Sequence, residues 1–186
     1  MSETTEDKAW VTVETGLYAD ELLVFIHRPD WLYRLNPLIE WSVCELGDGF
    51  LRLANADMTA EARIEEIPGG ILLHWAGEGL KVATSITVEA GILRIEDDYS
   101  RFPLEIREAR IAEVDQTLSA WGGGIYEFFK SWKRYSWLPL WRWYALGPWL
   151  KMKPQARRII RLLILITLAE FLAFLVILAV LVIERG

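Results

Sequence analysis

Few side chains in this 186-residue chain have the type and spacing for chemistry. His74 sits in the run LLHWAG beside Trp75, and Tyr99 follows Asp97-Asp98. An acid/base centre would need His74 with Tyr99 or Asp98. The pair Asp97-Asp98 reads more simply as a solvated strand end. His74 reads as a ligand contact or as a hydrogen-bonded core or surface histidine. His27 falls at the end of a short helical run, where a cation complements the dipole. One cysteine and two distant histidines form no metal-ligand set. There is no P-loop, no GxSxG and no GxGxxG before a helix. The expectation is therefore no catalytic residue, no metal and no cofactor.

Glu170 is the other conspicuous group. It is the one charged residue in Leu162–Ile183, a run of 22 residues reading LLILITLAEFLAFLVILAVLVI. About 20 apolar residues span a hydrocarbon core as a helix. The run lies at the far end from any signal peptide, and the first residues, MSETTEDK, hold no apolar stretch. A charge at mid-span costs roughly 2.5–3.5 kcal/mol and usually faces protein or water. Ala169 and Ala173 flank it as a small-xxx-small pair that admits a second helix. The three residues are the expected contact to a membrane-protein partner; a protonated Glu170 tolerated in lipid is the plainer reading.

Charge divides along the chain. Residues 1–120 hold 10 basic and 23 acidic residues, and residues 121–186 hold 10 and 3. Basic residues crowd beside the apolar run, which argues against nucleic acid and for an anionic bilayer surface. Lys151, Lys153, Arg157, Arg158 and Arg161 precede the span, so the positive-inside rule puts the N-terminal side in the cytoplasm. A single cysteine, Cys44, fits a reducing compartment. The expected location is a single-pass protein of a bacterial inner membrane. Residues 121–149 hold six of the ten tryptophans. Trp137, Trp141, Trp143 and Trp149, with the basic residues from Lys151 to Arg158, form the expected membrane-interface segment. The alternative is that these rings cap the domain core.

The elements that would carry these residues follow from periodicity. Residues 8–16 alternate and read as a strand. Ala19–Ile26 and Asp30–Leu35 read as short helices separated by Pro29. Strands are expected at Leu38–Leu46, Phe50–Ala54, Met58–Ile67, Ile71–Ala76, Lys81–Val88 and Ile92–Tyr99, broken by Gly47-Asp48-Gly49 and Pro68-Gly69-Gly70. After Pro103 the period becomes helical. Ile111, Val114, Leu118, Trp121, Ile125, Phe128 and Trp132 make one apolar stripe. Glu105, Glu108, Glu113 and Asp115 form its solvated face, and Ser100 is a nearby cap. Gly122-Gly123-Gly124 lies inside the stripe and costs about 1 kcal/mol per residue relative to alanine. The apolar phase survives it, so one helix packed closely on the sheet, or bent around a cavity, is expected.

Three segments carry a resemblance: ADELLVFIHRPDWLYRLNP (Ala19–Pro37), LRIEDDYS (Leu93–Ser100) and EVDQTLSAWGGGIYEFF (Glu113–Phe129). With the element order, they resemble the START/polyketide-cyclase-like (SRPBCC) superfamily over residues 8–133. The resemblance implies an α+β helix-grip fold, a curved antiparallel sheet around a long C-terminal helix. It also implies a cavity for lipids, quinones, polyketides or similar ligands, with Trp41, His74, Trp75, Tyr99 and Trp121 as lining candidates. Membrane-recruiting subunits of carbon monoxide dehydrogenases look similar in plan. The chain is thus divided into a disordered lead (1–7), the domain (8–133), a Trp-rich basic segment (134–158), the transmembrane helix (159–183) and a tail (184–186). The function expected is a membrane-anchored binding protein for a hydrophobic small molecule. An accessory subunit of a membrane complex comes second, and a cyclase or aromatase third.

Overall fold

The computed structural model describes residues 7–56, 58–76, 81–101 and 103–185. The disordered lead expected over 1–7 therefore lies outside the described residues apart from Asp7. The chain forms two compact units, Met1–Lys151 and Met152–Gly186. The first is α+β: a curved seven-stranded antiparallel sheet with a long helix C-terminal to it.

Strand β1 (Lys8–Glu14) leads into helices α1 (Ala19–Ile26) and α2 (Pro29–Arg34). Pro29 ends the first helix and occupies the first turn of the second, where its missing N–H costs nothing. Strands β2 (Val43–Leu46), β3 (Phe50–Ala54), β4 (Thr59–Ile67), β5 (Gly70–Ala76), β6 (Ala83–Glu89) and β7 (Ile92–Asp98) follow as a meander. The sheet order is β1-β7-β6-β5-β4-β3-β2, so the first two strands occupy opposite edges. The helices α1 and α2 carry the chain from one edge to the other across the inner face. Strand β2 is shorter than the expected Leu38–Leu46: Ser42 still donates to Ala54 of β3 at 2.9 Å, but Trp41 bonds instead to the end of α2.

Alternation holds throughout the sheet. Leu51, Leu53, Ala62, Ile71, Leu73, Ile86, Leu93 and Ile95 are buried on one face. Each fully buried aliphatic side chain contributes about 1.5–3 kcal/mol. The outer face is solvated and laced with charge. There, burial alone pushes the Glu96 carboxyl up, but hydrogen bonds from Arg94 and Lys8 more than reverse this and leave it below the ordinary range.

Helix α3 (Leu104–Tyr135) covers the inner face without a break. Leu118, Trp121, Ile125, Phe128 and Trp132 of the expected stripe are buried. Phe25 of α1 sits edge-on to Phe128, Phe129 and Trp132, at 5.0–5.8 Å. Glu105 is exposed; the side chains of Ile111, Glu108, Glu113 and Asp115 lie outside the described set. Ser100 does not cap the helix. The N-cap position is Pro103, which has no side-chain hydrogen bond.

The glycine triplet serves close approach. A β-carbon on Gly124 would meet the carbonyl oxygen of Leu35 at 2.2 Å, and one on Gly122 would meet Val11 of β1 at 2.6 Å. A β-carbon on Gly123 would meet nothing within 4 Å. The helix therefore rests its backbone on α2 and β1 at two of the three positions.

The expected boundary at 133/134 falls inside the last turn of α3. The following segment belongs to the first unit. Helix α4 (Pro139–Tyr144) passes into a π-helical turn at Ala145–Trp149 that contains Pro148. Proline removes a backbone donor and widens the turn. Ala145 and Leu150 are buried in the core. The second unit is helix α5 (Pro154–Arg185), of which Pro154–Glu184 is long and apolar enough to cross a membrane.

The triplet should respond to alanine with opposite signs. Gly123→Ala should stabilise the domain by about 0.5–1 kcal/mol, because it removes a helix-interior glycine at no steric cost. Gly124→Ala should destabilise by about 1–3 kcal/mol through the clash with a carbonyl that cannot move freely. Denaturant unfolding of the two variants checks the pair; equal effects would refute the close approach.

Candidate functional site

The inner face of β7 carries Leu93, Ile95 and then Asp97, whose exposure is 0%. Period-2 geometry aims this carboxylate inward with its two apolar predecessors. A carboxylate shut away from water costs several kcal/mol unless it is paired and hydrogen-bonded. Four groups meet that demand in one network. Thr84, the cross-strand partner of Asp97 on β6, donates its hydroxyl to Oδ1 at 2.5 Å. Lys81, just before β6, forms an ion pair with Oδ2. Tyr99 donates its hydroxyl to the same oxygen at 3.2 Å. The indole of Trp75 on β5 donates to the Thr84 oxygen at 2.9 Å.

Aromatic rings close over this network from the helices. Tyr33 of α2 contacts Trp121 of α3 at 4.6 Å between centroids, Trp75 at 5.8 Å and Trp41 at 6.2 Å. Two indoles fasten this wall to the end of α2. Trp121 Nε1 donates to the Leu32 carbonyl at 2.7 Å, and Trp41 Nε1 donates to the Tyr33 carbonyl at 3.0 Å. Both carbonyls lie in the last turn of a six-residue helix, where they also accept the Leu35 and Asn36 N–H groups at 3.0 and 3.3 Å.

Two groups are left with spare donors. Tyr33 Oη is buried beside the Thr84 hydroxyl, but with no partner in full hydrogen-bonding geometry among the described residues. Burial, then the charge of Asp97, holds this phenol well above its ordinary range, against a smaller downward pull from Thr84. The Lys81 side chain is 31% exposed, and its ammonium lies 5.9 Å from the Trp121 ring centroid. Lys81 therefore bridges the buried network and solvent.

Of the expected lining residues, Trp41, Trp75, Tyr99 and Trp121 converge here. His74 does not, which corrects the expectation for it. The inward residues of β5 are Ile71, Leu73 and Trp75, so His74 faces out, 47% exposed and 2.8 Å from Glu65. That facing parts His74 from inward-turned Tyr99, and the His74 Nε2 is hydrogen-bonded to Glu65 rather than to Asp98. The reading of Asp97-Asp98 as a solvated strand end is corrected for Asp97; Asp98 turns outward and accepts the Ser100 N–H at 2.8 Å. Lys81, Thr84 and Tyr33 were not singled out by sequence reasoning, which noted Asp97 only as part of a solvated pair. The signal for Asp97 was present in the parity of Leu93, Ile95, Asp97 and Tyr99.

His27 ends α1, with Nδ1 donating to the Leu23 carbonyl at 2.7 Å. Cys44 is buried, donates to the Asp30 carbonyl at 3.1 Å, and has its thiol pushed up to about 12 by burial. Among the described residues no group of three His, Cys, Asp or Glu side chains is placed to hold a metal ion.

The tryptophan-rich segment divides in two. Trp149 stacks on Phe128 at 5.7 Å, and Trp141 contacts Trp132 at 5.6 Å, so both close the end of the core. Trp137 and Trp143 are 75% and 66% exposed, with exposed Leu140 between them in sequence. Lys151, Lys153 and Arg158 are exposed, and Arg157 is half-buried. On α5, Ala169 and Ala173 share a face at i,i+4 spacing with Glu170 beside them, and all three are exposed.

Asp97→Ala should cost about 3 kcal/mol of stability, the low end for a broken buried pair because Lys81 keeps contact with water. Asp98→Ala and His74→Ala should stay within about 0.5 kcal/mol. Near-ultraviolet circular dichroism during denaturation of the full chain measures all three; equal losses would contradict the inward placement of Asp97.

No family model and no curated protein matches this chain. A solved structure with some similarity is the solution structure of Chr148 from Cytophaga hutchinsonii, at 16% identity, covering 71% of this chain and 94% of that one. Its TM-score of 0.35 is too low to carry an argument.

Proposed function

We propose that this chain is a membrane-anchored binding protein, and that its sheet-and-helix domain holds a hydrophobic small molecule against the inner face. The observation that carries this reading is the buried Asp97–Thr84–Lys81–Tyr99 network enclosed by Tyr33, Trp41, Trp75 and Trp121. An apolar and aromatic surface with a few convergent polar groups is the usual composition of a small-molecule site. Contact area would supply most of the affinity, at about 25 cal/mol per Å², and the polar groups would set orientation.

In this reading α5 is the anchor, with the domain on the cytoplasmic side, as the basic residues before the span favour. Exposed Trp137, Leu140 and Trp143 would rest among lipid headgroups, while Trp141 and Trp149 stabilise the fold that presents them. A ligand could then pass between bilayer and domain with little exposure to water.

A second reading is supported by a different observation. Glu170 lies on α5 beside Ala169 and Ala173, and all three are exposed. A helix of another membrane protein could approach there and accept a hydrogen bond or a charge partner. The chain would then also be an accessory subunit.

The binding reading predicts a bound molecule in gently purified protein. Full-length chain and a control, α5 carried by an unrelated soluble domain, are extracted and compared by mass spectrometry. An apolar compound enriched near stoichiometry over the control is expected. Identical profiles would count against binding. Native sizing of the same material tests the subunit reading, which a lone 21.5 kDa species in its micelle would reject.

A further inference from the structure

Each acceptor oxygen of the Asp97–Thr84 pair already holds a hydrogen bond, while donors remain over. Both Asp97 oxygens are occupied, by Thr84 on one and by Lys81 and Tyr99 on the other. The Thr84 oxygen already accepts from Trp75. The indoles of Trp41 and Trp121 are committed to backbone carbonyls. What remains is the Tyr33 hydroxyl, buried without a partner, and the Lys81 protons not given to Asp97. An ammonium has three donors and no acceptor, and a phenol has one donor.

Charge narrows the choice further. The Lys81 and Asp97 charges cancel within the ion pair. No further cation among the described residues is hydrogen-bonded into this cluster, so nothing in it compensates a ligand's carboxylate or phosphate. The Tyr33 phenol, held above its ordinary range, remains an O–H donor at neutral pH.

We propose that this site takes the neutral carbonyl oxygen of an apolar ligand, with Tyr33 Oη as its principal donor and Lys81 Nζ as the second. The ligand body lies against Trp41, Trp75 and Trp121. This rests on the binding reading above and adds to it a chemical class: ketone, quinone or uncharged ester, in preference to a fatty acid or a hydrocarbon. It also gives a partner to the one buried side-chain polar atom that the folded chain leaves unbonded among the described residues.

The test uses full-length protein in nanodiscs and methyl undecyl ketone labelled with carbon-13 at its carbonyl. A hydrogen bond to the oxygen deshields that carbon. Bound ketone should therefore show a downfield resonance absent from nanodiscs carrying the anchor control. Tyr33→Phe, which removes one oxygen and keeps the ring, should abolish most of that shift and weaken binding roughly tenfold. Its thermal transition should stay close to that of the unaltered protein. Dodecane should compete weakly, and laurate more weakly than the ketone.

A bound ketone with an unshifted carbonyl, a shift that survives Tyr33→Phe, or laurate as the better competitor would overturn the proposal and leave the binding reading standing. Failure of both ketone and dodecane to bind would overturn both.

Discussion

A carboxylate that has lost all contact with water organises the inner face of this sheet. Asp97 follows Leu93 and Ile95 in the alternation of β7, so the strand geometry that builds the core also buries the charge. Its neighbours follow from that. Its cross-strand partner is a hydroxyl, Thr84, which relays to the Trp75 indole. Lys81 reaches in from the start of β6, and Tyr99 turns back from the end of β7. A network of this kind is favourable only when its members are satisfied, because the low dielectric that strengthens each bond also raises the cost of a missing one. The unbonded Tyr33 hydroxyl at its edge is therefore its most informative atom.

The helices are placed by a second constraint, backbone proximity. Gly124 lets α3 come down on the Leu35 carbonyl, and Gly122 lets it sit over Val11. At that distance the Trp121 indole reaches the Leu32 carbonyl, and its ring lies against Tyr33. Two tryptophans thus serve as acceptor-capping groups for α2 and as an aromatic wall. Structural and binding roles share the same side chains, which explains how a short helix with no side-chain cap holds a fixed position.

Most of the architecture was legible in the sequence, because periodicity reports local geometry directly. The α1 boundaries, the strand run from Phe50 to Asp98 and the continuity of α3 through three glycines all follow from apolar phase. The site was legible only in part. Trp41, Trp75, Tyr99 and Trp121 are large rings that a cavity would be expected to recruit. Asp97 was misread because acidic pairs at strand ends are usually solvated, a composition habit that strand parity contradicts. The same parity sends His74 outward. Lys81 lies before its strand, and Tyr33 lies in a helix more than forty residues away from it, so their meeting with Asp97 depends on tertiary packing. The tryptophan-rich segment divided for a related reason: only the fold decides which indoles of α4 and its π-helical turn face Phe128 and Trp132.

On the proposed reading, the Asp97 network and its aromatic wall form a ligand site rather than a sealed polar core. An experimental structure of the full chain in a lipid nanodisc, resolving side chains between β5–β7 and α2–α3, tests it most directly. Density for a non-protein molecule is expected against Trp75 and Trp121, with an oxygen within about 3.2 Å of Tyr33 Oη. A Tyr33 hydroxyl bonded to a protein group, with the rings packed solidly over Asp97, would contradict it.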